Sequence, residues 1–354
     1  MPSITDPLTI RGLTLRNRIW VAPMCMYSVE TLDGVPGAWH RAHYGALATG
    51  GTGLLTVEAS AVVPEGRISR QDAGIWDDAQ RDAWRPIVDF AHARGAAIGI
   101  QLAHAGAKAS IRPAFGHDAG TGSLPIADGG WQTVSSSAGS VMGLADARAL
   151  SVDEARDVVD AFIAAAVRAA DAGFDLVEVH GAHGYLLHQF LSPLWNTRDD
   201  ELGGDLAGRA TLLLEVVRGI RAALPDMPMM VRLSATDWTD GGLTEDDAAT
   251  IAGWAQDAGA DLVDASSGGL VRAAIPVGPG YQAHLAQRIA AVDVPTSAVG
   301  IIETGEQAQA IVDSGVDAVR VGRAALRDPH LPIRWARELG VDVDWVPPQY
   351  ERAY

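Results

Sequence analysis

Ala172-Gly-Phe-Asp-Leu-Val-Glu-Val179 decides the fold. A glycine suited to the left-handed end of a helix is followed by a tight turn and a short apolar run of strand length. The phrase returns as Ala258-Gly-Ala-Asp-Leu-Val-Asp-Ala265 and Ser314-Gly-Val-Asp-Ala-Val-Arg-Val321, and more loosely as Gly50-Gly-Thr-Gly-Leu-Leu-Thr-Val-Glu58 and Arg94-Gly-Ala-Ala-Ile-Gly-Ile-Gln101. Each copy is a helix-to-strand joint, and the apolar run is a strand covered on both faces. Arg18-Ile-Trp-Val-Ala-Pro23, Pro228-Met-Met-Val-Arg-Leu-Ser234 and Val294-Pro-Thr-Ser-Ala-Val-Gly300 add three strands without a strong joint. The eight strands begin near residues 18, 53, 96, 175, 228, 261, 294 and 317. Amphipathic helical stretches separate them. Ser151-Val-Asp-Glu154 is a capping box that opens an Ala-rich helix, and Thr244 and Thr304 open later ones in the same style.

Eight β/α units predict an α/β fold, a closed (β/α)8 TIM barrel, over residues 1–354 as a single domain. A doubly wound open sheet is the alternative, and the even spacing counts against it. Residues 6–17 alternate around Arg11-Gly12 and predict an N-terminal β-hairpin at one end of the barrel. The interval 102–150 after the third strand is too long for a simple connection and predicts a lid-like insertion, while 340–354 forms a C-terminal arm.

Of the 354 residues 48% are apolar, and the formal net charge is -17. Phosphate backbones and anionic membranes are therefore poor partners. The single cysteine cannot form an internal disulfide and suits a reducing compartment. The N-terminal residues show no basic-then-apolar leader, and no apolar run has the length of a membrane span. The expectation is a cytoplasmic enzyme.

In such a barrel the carboxyl ends of the strands carry the chemistry. They present Cys25 and Tyr27, then Glu58, then Gln101, then His180, His183 and Tyr185, then Arg232, then Ser266-Ser-Gly-Gly269, Gly300, and Gly322-Arg323. Two histidines three apart can hold an oxygen that gains negative charge, and a phenol beside them can give a proton. A metal-binding pair with Glu58, or satisfied core histidines, is the other reading of the same residues. The glycines after the last strands, with Arg323, form a phosphate cradle, although each glycine singly is also explained by a tight turn. Gln101 can read an amide-bearing ring edge and Arg232 can face an electron-rich ring; Arg232 can equally close an internal ion pair. Cys25 is open between a site residue and a plain buried thiol.

The chain resembles the old yellow enzyme family of FMN-dependent ene-reductases, in particular its bacterial thermophilic-like branch. The resemblance rests on Ala22-Pro-Met-Cys-Met-Tyr27, Gln101-Leu-Ala-His-Ala-Gly106, Val179-His-Gly-Ala-His-Gly-Tyr-Leu-Leu-His188, Phe190-Leu-Ser-Pro193, Val231-Arg-Leu-Ser234 and Val321-Gly-Arg323. It implies a barrel that holds FMN without a covalent bond and uses NADPH, or else NADH, as reductant. It also implies that Pro23, Met24, Cys25, Ala59, Gln101, Arg232, Gly300, Gly322 and Arg323 contact FMN, with no metal. His180 and His183 would bind the carbonyl oxygen of an α,β-unsaturated substrate, Tyr185 would supply the proton, and Tyr27 would touch the substrate. Arg352 would reach the site of a neighbouring subunit in a homodimer or homotetramer. Two positions depart from the family pattern: Leu202 stands for a tyrosine and Asp205 for a serine, with effects expected on packing and a loop bond rather than chemistry.

Overall fold

The computed structural model describes residues 1–116 and 118–353; His117 of the insertion and Tyr354 of the arm lie outside the described residues. In chain order the strands are β1 Leu8–Ile10, β2 Leu13–Leu15, β3 Ile19–Val21, β4 Leu54–Ala61, β5 Ala97–Ala103, β6 Val134–Ser135, β7 Arg148–Ala149, β8 Leu176–Gly181, β9 Met229–Ser234, β10 Leu262–Ser266, β11 Thr296–Val299 and β12 Ala318–Val321. The helices are α1 Ala38–Thr49, α2 Asp78–His92, α3 Val152–Ala172, α4 Leu186–Leu191, α5 Leu206–Ala223, α6 Glu245–Ala258, α7 Ala283–Ala290, α8 Gly305–Asp313, α9 Arg323–Arg327 and α10 Leu331–Glu338. The eight strands β3, β4, β5, β8, β9, β10, β11 and β12 close into one parallel barrel, so the open-sheet alternative is set aside. Each begins within two residues of the position read from sequence. No helix among the described residues is long and apolar enough to cross a membrane.

The recurring phrase now has a physical account. Its aspartate, two residues after the glycine, staples the start of the adjacent strand: Asp175 accepts the Ile98 N–H at 2.8 Å, Asp261 that of Met229 at 2.8 Å, and Asp317 that of Thr296 at 2.9 Å. A parallel edge leaves such N–H groups unpaired, and a carboxylate is a strong acceptor for them. The helices begin as predicted. Ser151 and Thr244 complete capping boxes, and Thr304 accepts from Gln307 N. Asp205 takes the N-cap of α5 and Leu202 is fully buried, which places both departures from the family pattern in packing and capping.

Inside the barrel, side chains from alternate strands stack in layers. Leu54, Leu176, Leu262 and Ala318 of β4, β8, β10 and β12 form an apolar floor with Trp20 and Met230. The β1–β2 hairpin turns at Arg11 and Gly12, both at positive φ, and lays Ile10 and Leu15 against that floor. Two residues further along the same four strands stand Thr56, Glu178, Asp264 and Arg320, all buried. Arg320 joins the set: it bonds Glu178, lies 3.0 Å from Asp264 and donates to Thr56 Oγ1 at 2.5 Å. This ion-paired layer separates the apolar floor from the mouth.

The insertion is built rather than loose. It carries the short β6–β7 pair and docks on α4. Ser135 Oγ donates to Gln189 Oε1 at 2.8 Å, Ser136 Oγ donates to Gln189 O at 2.6 Å, and Trp195 Nε1 donates to Ser135 Oγ at 2.6 Å. Ser135 and Ser136, both fully buried, form a clamp on Gln189.

Candidate active site

The loop that leaves β8 is bent to present its rings. His183 has φ +59, a conformation costly for a residue with a side chain, and four bonds hold it there. Its N–H donates to Ser234 Oγ at 2.9 Å, its ring Nε2 meets Ser266 Oγ at 2.7 Å, and its carbonyl accepts from Lys108 Nζ at 2.8 Å. The next N–H, of Gly184, donates to His188 Nδ1 at 2.8 Å, and His188 in turn lies 3.1 Å from the buried carboxylate of Asp237. Lys108 also donates to Gly269 O at 2.8 Å, tying the loop after β10 to the loop after β8.

The result is a compact trio. The rings of His180 and His183 are 5.1 Å apart at 85°, and those of His180 and Tyr185 5.1 Å apart at 83°. Loss of hydration, followed by the nearby Arg232 charge, pushes both imidazoles well below the usual histidine range, so both are neutral at neutral pH. His180 Nδ1 accepts the Ala182 N–H at 3.3 Å, which puts the ring proton on Nε2. Burial, followed by the neighbouring Cys25 and Tyr27, raises Tyr185 well above the ordinary phenol value. Lys108 Nζ sits 5.0 Å from the centre of its ring. Tyr185 therefore keeps its proton until something basic forms beside it. Burial, followed by Asp72 and Glu58, raises the Cys25 thiol, so it stays protonated. Cys25, Tyr27 and Tyr185 pack with Ile68, Ala105, Ala109 and the insertion's Ile111 and Trp131, which wall this side of the mouth.

Glu58 does not join the histidines. Its carboxylate accepts from Met26 N and Tyr44 Oη, both at 2.9 Å, which turns it towards α1 and braces the 23–27 turn instead. Among the described residues no group of three or more His, Cys, Asp or Glu side chains is placed to share a metal ion.

A cavity of about 380 Å³ opens on the other side, at the ends of β9 to β12. Arg232, Gly300, Gly322 and Arg323, four of the residues expected to hold cofactor, line it together. Gly300 is at φ +129, and a side chain there would press Gln282 and Tyr281 at 3.0 and 3.1 Å. A Cβ at Gly322 would come within 3.5 Å of Met24 Sδ, which brings the 23–27 turn to the same rim. Ala59 sits level with Gln101 across β4 and β5. Gln101 Nε2 donates to Glu178 at 2.6 Å, and Arg232 Nε lies 2.9 Å from Asp264. Arg232 thus makes the internal ion pair and lines the cavity at once, and the two readings of it were never exclusive. Gly268 and Gly269 are not part of this cavity: Gly268 faces Trp238, and a Cβ on Gly269 would strike His183 Cα at 2.6 Å. They serve loop packing, not the cradle. Arg352 lies exposed in a terminal 3-10 turn, Pro348–Ala353, and does not line the mouth of its own barrel.

The sequence profile of the NADH:flavin oxidoreductase / NADH oxidase family matches residues 3–341. The chain belongs to this family, the old yellow enzymes. It is 44% identical over 351 residues to an NADPH dehydrogenase of Geobacillus thermodenitrificans, a match spanning 99% of this chain and 98% of the relative. Among solved structures it is similar to morphinone reductase in complex with tetrahydroNAD (TM-score 0.79, 29% identity, 99% and 94% of the two chains). It is equally similar to the old yellow enzyme homologue from Zymomonas mobilis (TM-score 0.79, 29% identity, 98% of each chain). This old yellow enzyme is accordingly an oxidoreductase that works with FMN and NADPH. The cavity fits that cofactor. Four arginines line it, Arg232, Arg320, Arg323 and Arg327, and Gly300 stands where a side chain would crowd Gln282 and Tyr281.

Sequence reasoning passed over Lys108 and Gln282. Gln282 accepts from Ser267 Oγ at 2.5 Å and donates to Val299 O at 3.0 Å, joining the loops after β10 and β11. No local motif marks these residues; only the closure of the barrel assembles them.

The site also carries a pH signature. His104, buried at the end of β5, is lowered to about 4 by loss of hydration. A histidine whose folded value is depressed binds its proton in the unfolded chain first. Its contribution is complete above about 6.5 and is lost as pH falls towards 4, a total of about 3 kcal/mol. Denaturant titrations should show stability falling across that window, and His104→Asn should remove one proton from the slope. An unchanged slope would mean that His104 is hydrated.

Proposed function

We propose that this enzyme reduces the carbon–carbon double bond of α,β-unsaturated carbonyl compounds. The observation that carries this reading is the trio of two neutral imidazoles and one protonated phenol at a single strand end. Bound FMN supplies hydride chemistry, and NADPH restores it. Gly300, Gly322 and Arg323 would hold its phosphate, Gln101 and Arg232 its pyrimidine edge, and Pro23, Met24, Cys25 and Ala59 the ring surface. His180 offers Nε2–H; in the contact of His183 Nε2 with Ser266 Oγ we assign the hydroxyl as donor, which places the proton of that ring on Nδ1. Each ring then brings one N–H to the substrate's carbonyl oxygen, so the pair draws electron density from the alkene and stabilises the enolate-like oxygen. Neutral rings suit this task, because they bind a neutral carbonyl without demanding a proton. Tyr185 gives its proton to the α carbon once that carbon becomes basic. Tyr27, with Phe115 edge-on at 5.1 Å, contacts the substrate from the insertion's side.

Tyr185→Phe tests the assignment. Alkene reduction should slow by on the order of 10² while reduction by NADPH stays near its native rate. Equal slowing of both half-reactions would remove Tyr185 from the proton-donor role. Arg352 completes the proposal as a residue lent to a neighbouring subunit's site in a homodimer or homotetramer. Arg352→Ala should raise KM for the alkene several-fold with kcat little changed; an unchanged KM in a protein that sediments as an oligomer would rule this out.

A further inference from the structure

The floor of the proposed cofactor site contains four buried charges, Glu178, Arg232, Asp264 and Arg320, none more than 5% exposed. They form one connected set. Asp264 Oδ2 lies 2.9 Å from Arg232 Nε and 3.0 Å from Arg320 Nη1. Glu178 pairs with Arg320 through one oxygen and accepts from Gln101 Nε2 through the other, at 2.6 Å. The set is charge-balanced, two cations against two anions. Packing does not require it. The layer directly below, one repeat down the same strands, is wholly apolar, and buried ion pairs commonly stabilise a fold no better than apolar residues of the same size. The two members of the network that rise above the layer are Gln101 and Arg232. Glu178 fixes the rotamer of Gln101 by taking its N–H, which leaves the amide carbonyl as acceptor for a ring N–H. Asp264 pairs with Arg232 by charge on its Nε side, which leaves the terminal nitrogens for an oxygen.

We infer that Arg320 is a positioning residue for the pyrimidine end of FMN: through Glu178 and Asp264 it orients Gln101 and Arg232 and balances the charge beneath them. This rests on the placement of Gln101 and Arg232 proposed above. Without Arg320 the layer keeps two carboxylates and one guanidinium, a net negative charge under a ring that becomes more negative on reduction. Without the Glu178 charge the imbalance is positive. The two substitutions act on the cofactor with opposite sign, and together they cancel.

The midpoint potential of bound FMN, measured by dye-coupled spectrophotometric titration of the holoenzyme together with FMN affinity, reads this directly. Arg320→Met should lower the potential, on the order of a tenfold loss in the preference for reduced over oxidised FMN, or about 30 mV for a two-electron couple. Glu178→Gln should raise it, and the double substitution should return it close to native. Potentials that do not move in Glu178→Gln, that move the same way in both single variants, or that stay low in the double variant overturn the inference. If Arg320→Met does not fold, Glu178→Gln and the neutral double variant decide the matter by the same criteria. Gln101→Leu and Arg232→Met separate the two levels. If these leave FMN affinity and potential unchanged, the cofactor placement itself falls; if they shift both while positions 178 and 320 do not, only the role of Arg320 falls.

Discussion

Replacing both His180 and His183 by alanine is expected to abolish binding of phenols over the flavin, and with it the long-wavelength absorbance that such complexes produce. A phenolate is a stable stand-in for the negative oxygen of the proposed reaction, so it probes the two N–H groups without turnover. Each single alanine should lower alkene reduction by on the order of 10², the usual cost of losing one preorganised donor at a developing oxyanion. The structure gives a reason for expecting the double variant to fold. The backbone of this loop is held through His183 N, His183 O and Gly184 N, none of which depends on the two rings. A double variant that still binds phenols and reduces enones would assign the oxygen-binding role to other groups.

Gly269→Ala should be the most damaging single methyl in the mouth. Gly269 sits at φ +94, and its added Cβ would meet His183 Cα at 2.6 Å and His183 C and O at 2.7 Å. Backbone cannot step aside as a flexible side chain can, and the left-handed conformation itself costs about 1–2 kcal/mol for alanine. Gly184 faces it from the other loop, where a Cβ would lie 2.6 Å from Leu270 Cα. The expected result is a lowered thermal midpoint and loss of alkene reduction and phenol binding. FMN should remain bound, because Gly300, Gly322 and Arg323 lie outside this contact. Native phenol affinity in Gly269→Ala would show that the two loops are free to part.

The barrel was legible because its signal is local and repeated. A helix-ending glycine and an apolar run are read within eight residues, and the register of the sheet then follows from closure. The His180, His183 and Tyr185 group was legible for the same reason, since one strand end carries all three. The ion-paired layer was present in the same phrases and went unread. Thr56, Glu178, Asp264 and Arg320 all fall five residues after the joint glycine, at Gly51, Gly173, Gly259 and Gly315. Only in a closed barrel do these identical positions converge on one another. The clamp of Ser135 and Ser136 on Gln189 joins residues 54 and 53 apart, and nothing local reveals such a partner. Gly268 and Gly269 were misassigned because a turn glycine looks the same whether phosphate or protein backbone comes close.

The hairpin at the N-terminus has a consequence for traffic. Ile10 and Leu15 seal the lower end beneath the layers that already fill the barrel, so on the proposed function reductant and alkene arrive through one entrance. They take turns. Each should act as a competitive inhibitor of the other at high concentration, and double-reciprocal plots at several fixed alkene levels below that inhibitory range should run parallel.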